Sequence, residues 1–211
     1  MKPLHEIFSI LTLSVTIPPH LAGTITIMKN LLAIASIIGL SITSNTFAAS
    51  LDVDINNDAL RGQFNLSDTN AKLGLSGAVM LTDDNGEVLS VTARTQGILA
   101  NQKAVKGGFG GRGYYANPEN GDSFSSLAIG GFVEVTPPQL SDLTVGVDFY
   151  YAPSITTTDD LDNLKEITFK VSYQLFENAS AYLGLRYLEV EDDDVDFEFE
   201  DGAHLGFSIQ F

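Results

Sequence analysis

The chain has 211 residues, with 27 Asp and Glu against 11 Lys and Arg, a formal net charge of −16 and no cysteine. An acidic surplus of this size repels phosphate backbones and excludes nucleic acid as an expected partner, and the missing cysteines exclude disulfides as a source of stability. The length suits one domain and is too short for a large pore.

Residues 28–48 have the three parts of a secretory signal peptide: the charged start Met28-Lys29-Asn30, the apolar run Leu31 to Leu40, and the small-residue exit Thr46-Phe47-Ala48. That run is too short for a spanning helix, which needs about 20 apolar residues. Cleavage is expected after Ala48. Residues 1–27, mildly apolar and broken by Pro18-Pro19, read as an upstream extension ahead of the true initiator Met28. The alternative is a start at Met1 with an unusually long signal or a membrane-anchoring hairpin. Residues 49–211 form the folded domain and carry every acidic and basic residue except Lys2, Glu6 and Lys29.

Within that domain, alternating runs predict strands near residues 50–56, 59–66, 71–81, 87–99, 104–116, 124–135, 141–152, 164–175, 179–190 and 203–211. The longer runs have the length of tilted membrane strands, about 9–11 residues. Val145, Val147, Phe149 and Tyr151 oppose Thr144, Gly146, Asp148 and Tyr150; Ile167, Phe169, Val171, Tyr173 and Leu175 oppose Glu166, Thr168, Lys170, Ser172 and Gln174. Leu127, Ile129, Gly131, Val133 and Val135 form a third apolar row. The last strand puts Ala203, Leu205, Phe207, Ile209 and Phe211 on one face and His204, Gly206, Ser208 and Gln210 on the other. One face suits lipid and the other a wet interior. The expected fold is all-β: a small antiparallel up-and-down transmembrane barrel of ten strands, or eight if the two short runs at the N-terminal side are left out. Both counts are even, so parity does not choose. A soluble antiparallel sandwich also alternates and is the competing fold.

Aromatics at run ends (Tyr114-Tyr115, Tyr150-Tyr151, Tyr173, Phe176, Tyr182, Tyr187 and Phe211) suggest the girdles of an outer-membrane barrel. Short links at Ser67 to Asn70, Ala100 to Lys103 and Phe176 to Asn178 alternate with longer or more acidic links at 82–86, 117–123, 153–163 and 191–202. With the C-terminus in the periplasm, the acidic links fall outside the cell.

The stretch Lys106-Gly107-Gly108-Phe109-Gly110-Gly111-Arg112-Gly113-Tyr114-Tyr115-Ala116-Asn117-Pro118, the Gly130-Gly131 strand, Asp148-Phe149-Tyr150-Tyr151-Ala152-Pro153 and Leu183-Gly184-Leu185-Arg186-Tyr187-Leu188 resemble the YfaZ family of predicted Gram-negative outer-membrane proteins. The resemblance implies a small barrel in the cell envelope and brings no catalytic residues with it.

In the same register the inward face carries Arg94, Lys106, Arg112, Lys170 and Arg186 together with Glu134, Asp148 and Glu166, the candidate lumen-lining residues. Two readings follow. A salt-bridged, mostly filled polar lumen makes a structural or interaction barrel with acidic extracellular loops; a narrow porin-like channel would use the cationic row to favour anions. Chemistry has little to build on. His204 is the one histidine after residue 48, Ser208 on its face is over a dozen ångströms away at ~3.4 Å per residue, and a partner would have to come from Ser126, Ser172 or Ser180 on other strands. No enzyme is expected. The glycines between 107 and 113 lack the Lys-Ser/Thr of a P-loop and any helix to begin on, so no cofactor is expected; their use is to let a strand pass a bulky neighbour such as Tyr150 or Phe132. The acidic run Glu189 to Asp201 lacks the ligand spacing of a calcium loop, so no defined metal site is expected. It reads as a solvated outer loop that holds divalent cations loosely and bridges to lipopolysaccharide. The expected partners are therefore outer-membrane lipid and lipopolysaccharide, and, during biogenesis, the barrel-assembly machinery, which would read Leu205, Phe207, Ile209 and Phe211.

Overall fold

A computed structural model describes residues 47–68, 72–83, 85–99, 104–119, 122–158, 161–192 and 197–211. Ten strands follow in order: β1 (Phe47–Ile55), β2 (Ala59–Asp68), β3 (Leu73–Thr82), β4 (Glu87–Thr95, continued by Gly97–Ile98), β5 (Val105–Asn117), β6 (Phe124–Val135), β7 (Leu143–Pro153), β8 (Leu161–Phe176), β9 (Ala179–Asp192) and β10 (Phe197–Gln210). Each pairs antiparallel with its neighbour in sequence. β4 pairs with β5 from Glu87↔Asn117 to Arg94↔Gly110, and β1 pairs with β10 from Ser50↔Gln210 to Ile55↔Leu205, so the sheet closes on itself as a ten-stranded barrel. The short runs at 50–56 and 59–66 are full strands of the wall, which decides ten over eight.

The readings for residues 1–27 and for most of 28–48 lie outside the described residues. Phe47 and Ala48 pair with Asp68 and Ser67, so the expected cleavage point after Ala48 falls inside β1. The Phe211 amide donates to the Ala49 carbonyl at 2.8 Å, which puts the start of β1 and the end of β10 at one rim, here the near end.

Alternation sorts the side chains as a membrane requires. Leu51, Val53, Leu75, Leu89, Val91, Phe109, Leu127, Ile129, Val147, Phe149, Ile167, Phe169, Leu183, Leu185, Leu205, Phe207 and Ile209 are exposed on the outer surface. In lipid this apolar band needs no further covering. The aromatic girdles are thinner than the sequence suggests. Tyr115, Tyr151 and Tyr187 face outward toward the far end, and Tyr173, Phe176 and Phe211 toward the near end, but Tyr114, Tyr150 and Tyr182 are buried inside the lumen. In a Tyr-Tyr pair successive side chains leave opposite faces, so only one of the two reaches lipid.

The acidic run is also placed differently from expectation. β9 extends to Asp192 and β10 begins at Phe197, so most of Glu189 to Asp201 is barrel wall, with Glu189 opposite Glu198 and Val190 opposite Phe197. Its alternation is inverted relative to the membrane band: Leu188, Val190 and Phe199 are buried inside, while Glu198 and Asp201 are exposed. With that hairpin reassigned, the far-end links (56–58, 83–86, 118–123, 154–160, 193–196) are no longer than the near-end ones (69–72, 99–104, 136–142, 177–178). The expected asymmetry of loop length is absent, because charge marked as loop what is strand standing beyond the lipid.

Glycine makes room for lumen aromatics at close approaches. A Cβ on Gly130 would stand 2.0 Å from the carbonyl oxygen of Phe149 and 2.7 Å from Cδ1 of Tyr150, and one on Gly206 would stand 2.3 Å from Cζ of Tyr182. The tyrosine rings therefore lie flat against the wall. Gly130→Val is expected to destabilise the barrel by about 1–3 kcal/mol and to reduce the fast-migrating unboiled form on a denaturing gel. Gly62→Val, where a Cβ meets nothing within 4 Å, should leave that form intact.

Candidate functional site

The lumen has three levels. At the far end an apolar core of Met80, Val88, Tyr114, Ala116, Phe124, Ala128, Tyr150, Ala152, Leu161, Leu164, Leu188, Val190 and Phe199 draws on eight of the ten strands. Tyr150, Ala116, Ala128, Ala152 and Val190 have no exposed surface. Phe124 and Phe199 pack with ring centroids 6.0 Å apart.

Beneath this core lies an ionic layer. The Arg112 guanidinium donates to Glu166 and to Thr92 Oγ1 (2.8 Å) and stacks 3.9 Å from the centre of the Tyr150 ring; the Tyr114 hydroxyl donates to the same Glu166 oxygen. On the opposite wall Arg186 Nη1 donates to Asp54 Oδ1 at 3.0 Å and to Glu200 Oε2 at 2.8 Å, and Nη2 to Asp54 Oδ2 at 3.2 Å. Tyr182 donates to Asp54 and Asn56 donates to Glu200. Arg112, Glu166, Arg186, Asp54 and Glu200 are all buried, so the charges meet one another rather than water. Ions taken out of water in this way persist only when their hydrogen-bonding capacity is met.

From that layer to the near end runs a cavity of about 560 Å³ whose lining includes near-end residues of every strand, from Ala49, Ser67 and Gly74 to Gln174, Ala179 and Gln210. It therefore opens at the near rim. Arg94, Lys106, Arg112, Glu134, Asp148, Glu166, Lys170 and Arg186 all border it. Arg94 pairs with Asp148 at 2.9 Å and lies 4.0 Å from the centre of the Phe132 ring. Beyond the layer a void of about 10 Å³, room for roughly one water, is lined by Arg61, Glu166, Arg186 and the apolar core. Arg61, Glu166 and Arg186 are the residues common to both spaces and form the septum between them.

The family described as YfaZ precursor matches residues 28–211. The chain belongs to the YfaZ family. Its match begins at the Met-Lys start of the expected signal peptide. It is 27% identical over 141 residues to the outer membrane protein YfaZ of Escherichia coli strain K12, covering 66% of this chain and 75% of that protein. Among solved structures it is similar to a KdgM porin in complex with disordered oligogalacturonate, with TM-score 0.43, 13% identity and coverage of 78% of this chain and 99% of that one. It is also similar to the outer membrane protease OmpT from Escherichia coli, with TM-score 0.44, 11% identity and coverage of 78% and 90%. This YfaZ-family barrel is an outer-membrane protein.

The expected polar filling of its lumen is corrected on both sides of the ionic layer: the far half is filled by apolar side chains and the near half is open. Asp54, Arg61 and Glu200 join the site without being among the residues the alternation singles out, although each lies on the inward phase of an alternating run. Glu200 was hidden because its neighbours Glu198 and Asp201 gave the segment the composition of a loop. Leu205, Phe207 and Ile209 are exposed on the outer face of β10, and Phe211 is exposed just past its end.

His204 sits within β10, not near its outer end, because that strand begins six residues earlier than the alternation suggested. It is 2% exposed, its imidazole lies against Gly184, and neither ring nitrogen has a hydrogen-bond partner; Nδ1 is 3.8 Å from Glu200 Oε1. Ser172, Ser180 and Ser208 border the cavity without bonding to it. Asp54, Glu200 and His204 bring ligand atoms within 4.8 Å of one another. Arg186 donates into both carboxylates, so a cation at that point would face a fixed guanidinium, and the set does not fit a metal ion.

Arg186→Met removes the one cation shared by two buried carboxylates and is expected to destabilise the barrel by about 3–5 kcal/mol. Arg94→Met breaks a partly exposed pair, and a loss of about 1 kcal/mol or less is expected. Urea unfolding of the refolded barrel in lipid bilayers measures both, and equal losses would contradict the ionic layer as drawn.

Proposed function

We propose that this outer-membrane protein is a structural or interaction barrel without enzymatic activity, its lumen closed toward the cell exterior. The observation that carries this reading is the apolar core under the far rim, backed by the Arg112–Glu166 and Arg186–Asp54–Glu200 pairs. Barrels of this class keep their termini on the periplasmic side, which turns the cavity toward the periplasm and the apolar core outward. Hydrated solute has no path past Tyr150, Leu164 and Val190 without repacking a close-packed interior. His204, the one histidine among the described residues, has no hydrogen-bonded nucleophile, which supports a barrel without catalysis.

The far-end wall beyond the lipid is the surface available for contact outside the cell. Glu87, Glu189, Glu191, Glu198 and Asp201 lie on its outward phase, with Lys165 paired to Glu191. Loose divalent cations at these carboxylates would join them to lipopolysaccharide phosphates. The outward row Leu205, Phe207, Ile209 and Phe211 is the segment offered to the barrel-assembly machinery during insertion.

A narrow channel for small solutes is the rival reading, and planar bilayers separate the two. The protein is expected to give no conductance steps; resolved steps whose ion preference changes in Lys106→Glu would establish the channel instead. Sidedness has its own readout, since the chain contains no cysteine. Ser180→Cys, on the cavity wall, is expected to react with a polymer-linked maleimide only after the outer membrane is permeabilised, whereas Thr156→Cys in a far-end link should react in intact cells. Labelling of residue 180 in intact cells would reverse the orientation.

A further inference from the structure

The periplasm-facing cavity is more than packing left undone, because two of the cations that border it, Arg61 and Lys170, make no ion pair among the described residues. Asp54 accepts from Arg186 through both oxygens and from Tyr182, and Glu166 accepts from Arg112 and Tyr114 through Oε2. Arg61 lies across from Asp54 on the neighbouring strand, yet among the described residues it makes no ion pair and donates only to the amide oxygen of Gln63 at 2.7 Å. Lys170 likewise has no ion pair; its ammonium stands 4.9 Å from the centre of the Tyr182 ring, whose hydroxyl is bound to Asp54. The two cations thus flank one Tyr182–Asp54 wall, and both border the cavity.

From Arg61 toward the mouth, β2 presents a chain of amides. Gln63 donates to Asn65 at 2.6 Å, and Asn65 donates to Ser50 Oγ at 3.1 Å and to Asp52 Oδ2 at 3.0 Å. Amide and hydroxyl groups lining a path to an unpaired guanidinium offer hydrogen bonds to a hydroxylated ligand whose charged end reaches the floor. The cavity volume lies within the ~300–1,000 Å³ range of small-molecule sites.

We propose that the cavity is a binding site for a small hydroxylated organic anion entering from the periplasm, its phosphate or carboxylate held by Arg61 and Lys170 and its hydroxyls by Gln63 and Asn65. The one-sided entry rests on the closed-lumen reading; the binding itself does not, so a conducting barrel would overturn that reading and leave this one to its own test.

Glucose 6-phosphate is a suitable probe and uncharged glucose its control, titrated calorimetrically into the full chain purified in detergent. Saturable binding of glucose 6-phosphate, weakening as salt is raised and absent for glucose, is the expected result. Arg61→Gln and Lys170→Gln should each weaken it by about tenfold or more, with the unboiled fast-migrating form on a gel showing that both variants are folded. Gln63→Leu should weaken it without changing the salt dependence. No saturable binding, equal binding of glucose, or undiminished affinity in both cation variants overturns the proposal.

Discussion

A peptide group in hydrocarbon has no water to bond, and that constraint shapes everything else in this chain. A sheet survives in lipid only if it has no edge, so β1 must find β10 and β4 must find β5 along their lengths. With ten antiparallel strands the first begins at the rim where the last ends, as the Phe211 to Ala49 hydrogen bond records. Once the ladder closes, every second side chain is committed to lipid and every other one to a narrow interior, with no freedom to exchange them.

The interior then has to solve a problem that changes along the barrel axis. Within the membrane band the outer face is apolar and the inner face carries charge. Past that band the outer face meets water, and the wall inverts: acids turn out and Leu188, Val190 and Phe199 turn in. At the β9–β10 hairpin the wall is therefore built like that of a soluble β-domain, whereas around β4 and β6 the same core lies behind outward-facing Leu89, Leu127 and Ile129. The ionic layer lies just beneath that core. Its arginines serve more than one partner, Arg186 joining Asp54 to Glu200 and Arg112 joining Glu166, Thr92 and the Tyr150 ring, which spreads each buried charge over several groups, although Arg186 Nε has no partner among the described residues.

Function follows from the asymmetry. A barrel filled evenly would be a peg in the membrane, and one empty throughout would be a pore. Here an apolar core packs under one rim while a cavity lined with amides, hydroxyls, cations and carboxylates opens at the other, which is what supports the reading of a barrel closed on one side. The buried His204 belongs to the wall of this arrangement; its ring is held against Gly184 and offers no hydrogen-bonded route to a nucleophile.

Much of this was legible in the sequence, because a period of two is a property of the strand itself. The alternation of Ile167 to Leu175 and of Ala203 to Phe211 announced a barrel wall, its outward rows, and the inward placement of Arg94, Lys106, Arg112, Lys170 and Arg186 along the cavity. The predicted strand 179–190 already covered Leu188 to Val190, but from Glu191 to Asp201 charge density suggested a loop. Composition alone cannot tell a solvated loop from a strand that stands in water. Only the tertiary structure could decide which carboxylate meets which arginine, that Tyr114, Tyr150 and Tyr182 point inward, and that the apolar core gathers under one rim. Those outcomes depend on the register between strands far apart in sequence, such as Asp54 with Arg186 and Arg112 with Glu166, and one strand's periodicity fixes its faces but not its neighbours' heights.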